Sequence, residues 1–134
     1  MIVVDASLVI DFLLQLPPRA AVVTERLERA GQLAAPHLLD AEVAQVLRRY
    51  QLRGEIEAGL AQDCLDDLLD LPLTRYPHQV LVQRAFELRQ RVTIYDGLYL
   101  ALAEALQLPL CTCDAALARV AGCQARVEVI GAGL

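Results

Sequence analysis

Residues 93–114 read TIYDGLYLALAEALQLPLCTCD, an apolar helix pattern that runs directly into an apolar strand pattern. The spacing of the apolar residues predicts a helix over 94–107 and a buried strand over 108–112. Asp96 lies in the first turn of this helix, and Asp114 lies just beyond the strand. Because burying an unpaired carboxylate costs several kcal/mol, an acid at each of these points needs a physical reason.

The same alternation of short apolar strands and helices extends over the rest of the chain. The predicted strands are 1–4, 33–36, 71–76, 108–112 and 126–130. The predicted helices are 5–14, 19–31, 37–54, 55–70, 77–91, 94–107 and 114–121. This order predicts an α/β fold, a three-layer α/β/α sandwich with a central parallel sheet of about five short strands. No linker or repeat interrupts it, so residues 1–134 are predicted to form a single domain.

Composition limits the class of protein. The chain of 134 residues is 56% hydrophobic, which is ample for a packed core. It lacks an unbroken apolar run of about 18 residues, and its N-terminus meets an acid at Asp5, so neither a membrane span nor a signal peptide is expected. The four cysteines match neither a zinc ribbon nor a redox motif, and Cys111 and Cys113 are expected to be small buried thiols. We therefore expect a soluble, cytoplasmic protein.

The charged residues restrict the chemistry further. A net charge of −5 argues against a broad phosphate-coating surface, but it permits a small site at which metal ions supply positive charge. All 12 basic residues are arginine, which excludes a catalytic lysine.

Four acids fall near predicted helix starts, and at least three of them belong to one edge of the sheet. They are Asp5, Glu42, Asp96 and Asp114. Ligands of open α/β sheets bind at this edge, outside the carboxyl ends of the strands. Taken singly, each acid also suits a helix cap or the helix dipole. Taken together, they favour a divalent-cation site, because carboxylates about 5 Å apart repel by roughly 3 kcal/mol at an effective dielectric near 20.

Four segments carry a resemblance to a known family. They are IVVDASLVIDFLL, APHLLDAEVAQVL, TIYDGLYLALAEALQLPLCTCDAAL and VEVI, which occur in this order and cover nearly the whole chain. In these segments the chain resembles the PIN-domain ribonucleases, and within them the VapC-type toxins of type II toxin–antitoxin pairs. The resemblance implies a Mg²⁺- or Mn²⁺-dependent endoribonuclease toxin that hydrolyses RNA phosphodiester bonds. It also implies a homodimer and a cognate VapB-type antitoxin whose tail covers the site.

The resemblance assigns roles residue by residue. The metal-binding and catalytic acids of the family match Asp5, Glu42, Asp96 and Asp114. Two hydroxyl positions that support the acids or a bound water match Ser7 and Thr112. Many relatives carry an acid at the position of Ala116 and an asparagine at that of Gln45, so the resemblance leaves open whether one or two ions act.

Several charged residues have simpler interpretations. Asp11 and Asp40 are expected to be solvated positions on helices. Three arginines near one helix end suit the helix dipole, although they could equally hold RNA or an antitoxin carboxylate; they are Arg48, Arg49 and Arg53.

Other α/β proteins with acidic clusters fit the sequence less well. A phosphotransfer receiver domain needs a lysine near the last strands, and a phosphatase of the Asp-x-Asp type needs a second aspartate where this chain has Ser7. Flap-type DNA nucleases are usually longer and more basic. The remaining alternative is a non-enzymatic α/β interaction module whose acids serve only as helix caps.

Overall fold

A five-stranded parallel sheet forms the centre of the molecule. The computed structural model describes residues 1–133, so Leu134, the last residue of the predicted domain, lies outside the described range. The strands are β1 (Ile2–Val4), β2 (Leu33–Pro36), β3 (Leu73–Tyr76), β4 (Leu110–Thr112) and β5 (Val127–Val129). They pair in the order β3-β2-β1-β4-β5, and every pair is parallel. The predicted α/β fold is therefore confirmed.

Six α-helices connect these strands. They are α1 (Ala6–Leu14), α2 (Ala20–Ala30), α3 (Leu38–Leu52), α4 (Ala58–Asp70), α5 (Val82–Glu87) and α6 (Ile94–Leu106). The chain builds the sheet outward from β1 to β3 and then returns past β1 to add β4. Because crossovers between parallel strands are right-handed, this reversal places the first four helices on one face and the last two on the other. In agreement, α1 packs against α2, α3 and α4, whereas α5 packs against α6.

Three predicted helices are shorter than the sequence pattern indicated. The segment predicted as helix 77–91 starts as a 3₁₀ turn (His78–Leu81), and α5 ends at Glu87 in further tight turns. The segment predicted as helix 114–121 contains only a 3₁₀ turn, Ala115–Leu117. Predicted helix 55–70 begins at Ala58 instead, because Gly54 adopts a φ of +75° and the following residues connect α3 to α4. Of the three, segment 114–121 is short enough that it does not recover the cost of helix nucleation.

The core surrounds the central strands. Strands β1, β2 and β4 are buried throughout, and α6 is buried continuously from Gly97 to Ala103. All four cysteines of the described chain carry free thiols. Cys64 and Cys111 are buried, the latter as expected, whereas Cys113, also expected to be buried, is half-buried like Cys123. No helix within residues 1–133 combines the length and the apolar character needed to cross a lipid bilayer.

The close approach of α5 and α6 generates a stability prediction at Gly97. A Cβ added there would lie 3.1 Å from both Cα and Cβ of Ala85 and 3.2 Å from its carbonyl oxygen. Because the Ala85 backbone cannot move away from the added methyl group without shifting α5, we expect Gly97→Ala to lower the free energy of unfolding by about 1–3 kcal/mol in urea titrations. The control is Gly59→Ala in α4, where nothing lies within 4 Å. That change should stabilise by up to about 1 kcal/mol, and a neutral Gly97→Ala would contradict the close approach.

Candidate functional site: an acidic cluster at the sheet edge

Asp5 is the buried centre of the site. Strand β1 ends at Val4, so Asp5 becomes the N-cap of α1 and its Oδ1 accepts a hydrogen bond from the Leu8 amide at 3.1 Å. The same oxygen accepts from Ser7 Oγ at 2.7 Å, and Oδ2 accepts from Thr112 Oγ1. The side chain is only 7% exposed in total. Burial raises its pKa, the three hydrogen bonds oppose that rise, and the nearby charge of Asp114 adds to it.

Ser7 and Thr112 tie the ends of the two central strands together. Ser7 Oγ accepts a hydrogen bond from the Cys113 amide at 3.1 Å, and Thr112 Oγ1 accepts from the Asp114 amide at 3.0 Å. The two hydroxyl oxygens lie 3.3 Å apart. Both hydroxyls therefore fix the loop after β4 against the Asp5 carboxylate. Ser7 and Thr112 are the two residues for which the sequence analysis expected a supporting hydroxyl.

Asp114 and Asp96 lie on the same edge of the sheet. Asp114 is the N-cap of the 3₁₀ turn after β4, and its Oδ1 accepts from the Ala116 amide at 2.9 Å. Thr93 caps α6 by accepting from the Asp96 amide at 3.1 Å. Burial raises the pKa of Asp96 most, followed by the charges of Asp114 and Asp5, whereas a hydrogen bond from the Thr93 side chain lowers it.

Glu42 reaches the cluster from α3 and is held by a tyrosine. The Tyr99 hydroxyl, on α6, donates to Glu42 Oε1 at 2.5 Å. Burial raises the pKa of Glu42; the hydrogen bond from Tyr99 lowers it, and the charges of Asp96 and Asp5 raise it. Tyr99 is only 2% exposed, and burial also raises its own pKa, so its hydroxyl remains a donor. The sequence analysis missed Tyr99, although its position three residues after Asp96 places both on one helix face.

The four acids therefore occupy one neighbourhood, and two of them are also helix caps. The two sequence interpretations, caps and a cation site, are compatible because a capping carboxylate keeps unused lone pairs. Among the residues that the structure describes, no three Asp, Glu, His or Cys side chains are arranged to ligate one ion together. The donor set consists of hard carboxylate oxygens, which suits Mg²⁺, an ion that usually keeps several waters. These residues thus fit a hydrated ion contacted partly through water.

Two acids expected to be solvated are in fact paired, so that expectation was wrong. Asp11 is only 6% exposed and lies 2.8 Å from the Arg19 guanidinium. Asp40 accepts two hydrogen bonds from Arg75, at 2.6 and 3.0 Å. Both arginines come from other elements, so the helical periodicity around each acid contained no sign of its partner.

Comparison with known proteins identifies the family. The PIN domain model matches residues 2–122. Ribonuclease VapC1 of Mycobacterium tuberculosis is 43% identical over 129 residues, covering 96% of each chain. Ribonuclease VapC12 of the same organism is 38% identical, covering 97% of this chain and 99% of its own. The chain belongs to the PIN domain family and groups there with the VapC-type proteins, as the sequence analysis predicted.

A solved structure agrees in fold. The VapBC2 structure from Rickettsia felis, bound to a DNA fragment from their promoter, contains a chain that superposes with a TM-score of 0.73. It is 17% identical, and the match covers 96% of this chain and 98% of that chain. This likeness confirms the three-layer architecture.

The burial of Asp96 and its repulsion by neighbouring acids predict the behaviour of Asp96→Asn. Because the pKa of Asp96 is raised, the ionised carboxylate destabilises the folded state at neutral pH. We expect Asn to raise the Tm of the metal-free protein at pH 7 by roughly 2–4 °C. The gain should vanish well below the ordinary aspartate pKa of 3.8, where the carboxylate is protonated in both states. Calorimetry at the two pH values tests this.

The control for this prediction is Glu25→Gln. Glu25 is an exposed acid of α2, away from the cluster. Its replacement should change stability by no more than about 0.5 kcal/mol. A Tm gain of Asp96→Asn that persists unchanged at low pH would show that charge repulsion is not its cause.

The Tyr99–Glu42 hydrogen bond generates a second prediction. Tyr99→Phe removes only the buried donor, so we expect the free energy of unfolding to fall by about 1–3 kcal/mol, as for other hydrogen bonds to charged groups. Tyr76→Phe is the matched control, because the Tyr76 hydroxyl makes no hydrogen bond with the described residues. Urea titration of both variants measures the difference. Equal stabilities would mean that the Tyr99 hydroxyl does not hold Glu42.

Proposed function

We propose that this protein is a metal-dependent endoribonuclease toxin that hydrolyses RNA phosphodiester bonds and is neutralised by a cognate VapB-type antitoxin. The observation that carries the proposal is the gathering of Asp5, Glu42, Asp96 and Asp114 where the strand order reverses between β1 and β4. Family membership supports it, because the two relatives that match over nearly the whole of both chains are named ribonucleases.

The chemistry requires a divalent cation, Mg²⁺ or Mn²⁺. Asp5, Asp96 and Asp114 would hold it directly or through water, with Glu42 as a further ligand or as the group that polarises the attacking water. When bound, such an ion lowers the pKa of its water and stabilises negative charge that develops on the phosphoryl oxygens. Burial, and to a smaller extent mutual repulsion, raises the pKa of three of these acids, and a bound cation would offset both effects.

The protein's own groups organise the reacting water and the acids. Ser7 and Thr112 hold both Asp5 oxygens in place, so this carboxylate does not turn away from the edge. Tyr99 occupies Glu42 Oε1, which leaves Oε2 to accept a proton or a hydrogen bond from the water that attacks phosphorus. Asp96 forms no ion pair within residues 1–133 and receives a hydrogen bond from the Thr93 side chain alone, so its carboxylate keeps lone pairs available for a ligand.

The partners form part of the same proposal. A homodimer and a VapB-type antitoxin are expected from the family, and the R. felis relative was solved as a VapBC2 assembly. An RNA substrate also agrees with the proposed cytoplasmic location. Size-exclusion chromatography with light scattering measures the assembly of the purified chain directly.

The decisive test is cleavage of total RNA by the wild-type protein in Mg²⁺ and in EDTA. We expect fragments only in Mg²⁺, and we expect Asp96→Asn to lower the rate by at least about 10²-fold, since it removes an unpaired acid of the cluster. Glu25→Gln should cleave like the wild type. Full activity in EDTA, or in Asp96→Asn, would contradict the metal-dependent assignment.

The alternative of a non-enzymatic interaction module is favoured by one observation: Asp5 and Asp114 both cap helical turns. Mn²⁺ separates the two functions. A ligand that binds only the folded state stabilises it by about 2.7 kcal/mol at 100 times its Kd, so Mn²⁺ should raise the Tm of the wild type and not that of Asp96→Asn. A module whose acids serve only as caps would show no such rise.

A further inference from the structure

The acidic site poses an electrostatic problem for an RNA substrate. RNA is a polyanion, the chain carries a net charge of −5, and the proposed catalytic groups are four carboxylates. Two arginines border the cluster. Arg19 is neutralised by Asp11 at 2.8 Å, whereas Arg49 makes no ion pair and no side-chain hydrogen bond within residues 1–133. Arg49 is therefore the cation that is free to meet an incoming anion beside the acids.

Arg49 lies between two cavities that both open next to the acids. One, of about 380 Å³, is bordered by Asp114 and Ser7. The other, of about 290 Å³, is bordered by Glu42 and Gln45. Arg49 lines both of them. A phosphate bound by its guanidinium would thus lie in a continuous path past the cluster.

The smaller cavity has the character of a nucleobase site. Its walls are largely apolar, from Leu38 and Val46, and Gln45 adds an amide that can hydrogen-bond to a base edge. Tyr95 forms another wall and is 59% exposed, so its ring is accessible to a ligand that enters this cavity. It directly precedes Asp96, so a base resting on its ring would be next to the reacting phosphate.

We propose that Arg49 and Tyr95 form a nucleotide subsite for single-stranded RNA, in which Arg49 binds a backbone phosphate and an unpaired base stacks on Tyr95. The inference rests on the proposed function and specifies its substrate class. Stacking requires a base that has left the duplex, and aromatic platforms with neighbouring cations are the usual way to bind such strands. RNA is favoured as the occupant because the unpaired Arg49 guanidinium complements a backbone phosphate and the exposed Tyr95 ring offers a stacking face in the same cavity.

The chain contains a matched control for Arg49. Arg48 is the adjacent residue of α3, has the same charge and is likewise exposed. It lines a different cavity, between α3 and α4, together with Gln62 and Leu65. A general loss of positive charge would affect both variants equally, whereas the subsite requires only Arg49.

The experiment measures binding of a fluorescently labelled oligouridine by anisotropy, using full-length Asp96→Asn protein in Mg²⁺ so that the strand stays intact. Arg49→Ala should weaken binding about 10-fold at 50 mM salt and reduce the slope of log affinity against log salt by about one phosphate contact. Arg48→Ala should change both far less. Tyr95→Ala should weaken binding about 10-fold, while Tyr95→Phe, which keeps a ring, should bind normally. Circular dichroism verifies that each surface variant is folded.

Several outcomes would overturn the subsite. One is an equal loss of binding in Arg48→Ala and Arg49→Ala, and another is unchanged binding by Tyr95→Ala. A third is displacement of the RNA by an oligoglutamate peptide whose own binding depends on Arg49 to the same extent. The last result would assign the surface to a protein partner. Cleavage by otherwise wild-type variants separates this inference from the proposed function. If Arg49→Ala and Tyr95→Ala cleave RNA as the wild type does, the subsite is rejected and the proposed nuclease function stands. If the protein binds RNA with the expected dependence on these residues but does not cleave it, the nuclease function is rejected and the subsite stands.

Discussion

A buried carboxylate, Asp5, joins the two central strands at their carboxyl ends, and the site depends on that junction. Its oxygens accept hydrogen bonds from Leu8 and Ser7 on its own side and from Thr112 at the end of β4. These bonds compensate part of the cost of burying a charge. They also fix the loop that carries Asp114, so one side chain is at once a helix cap, a link between strands and a proposed metal ligand.

The acidic cluster lowers the stability of the folded state, and under the proposed function it does so in return for a cation site. Asp5, Glu42 and Asp96 all have raised pKa values because burial and mutual repulsion disfavour their charged forms. Replacing these acids by neutral residues would make the folded state more stable, so their presence is not explained by stability. The folded protein tolerates this cost, and under the proposed function a bound cation would offset it. The hydrogen bond from Tyr99 holds Glu42 in position.

Much of the fold could be predicted because its signals are local. Apolar runs and helical periodicity located all five strands and the long helices, and their alternation indicated a parallel sheet. The errors occurred in segments such as 77–91 and 114–121, where the helical spacing of apolar residues does not show that part of the segment forms 3₁₀ and other tight turns instead. The acids could be predicted for a related reason: each directly follows a strand or lies in an early turn of a helix, and chain order alone assigns such positions to one edge of the sheet.

The sequence by itself thus determined the elements, their order and the four acids, because these depend on neighbours along the chain. Only the tertiary structure decided which charges are paired and which are free. Asp11 meets Arg19, Glu42 meets Tyr99, and Arg49 is left facing the site while Arg48 points into another cavity. Such partners are far apart along the chain and depend on which helix faces pack together. A rotation of α3 by one residue position would place Arg48 where Arg49 now lies beside the site.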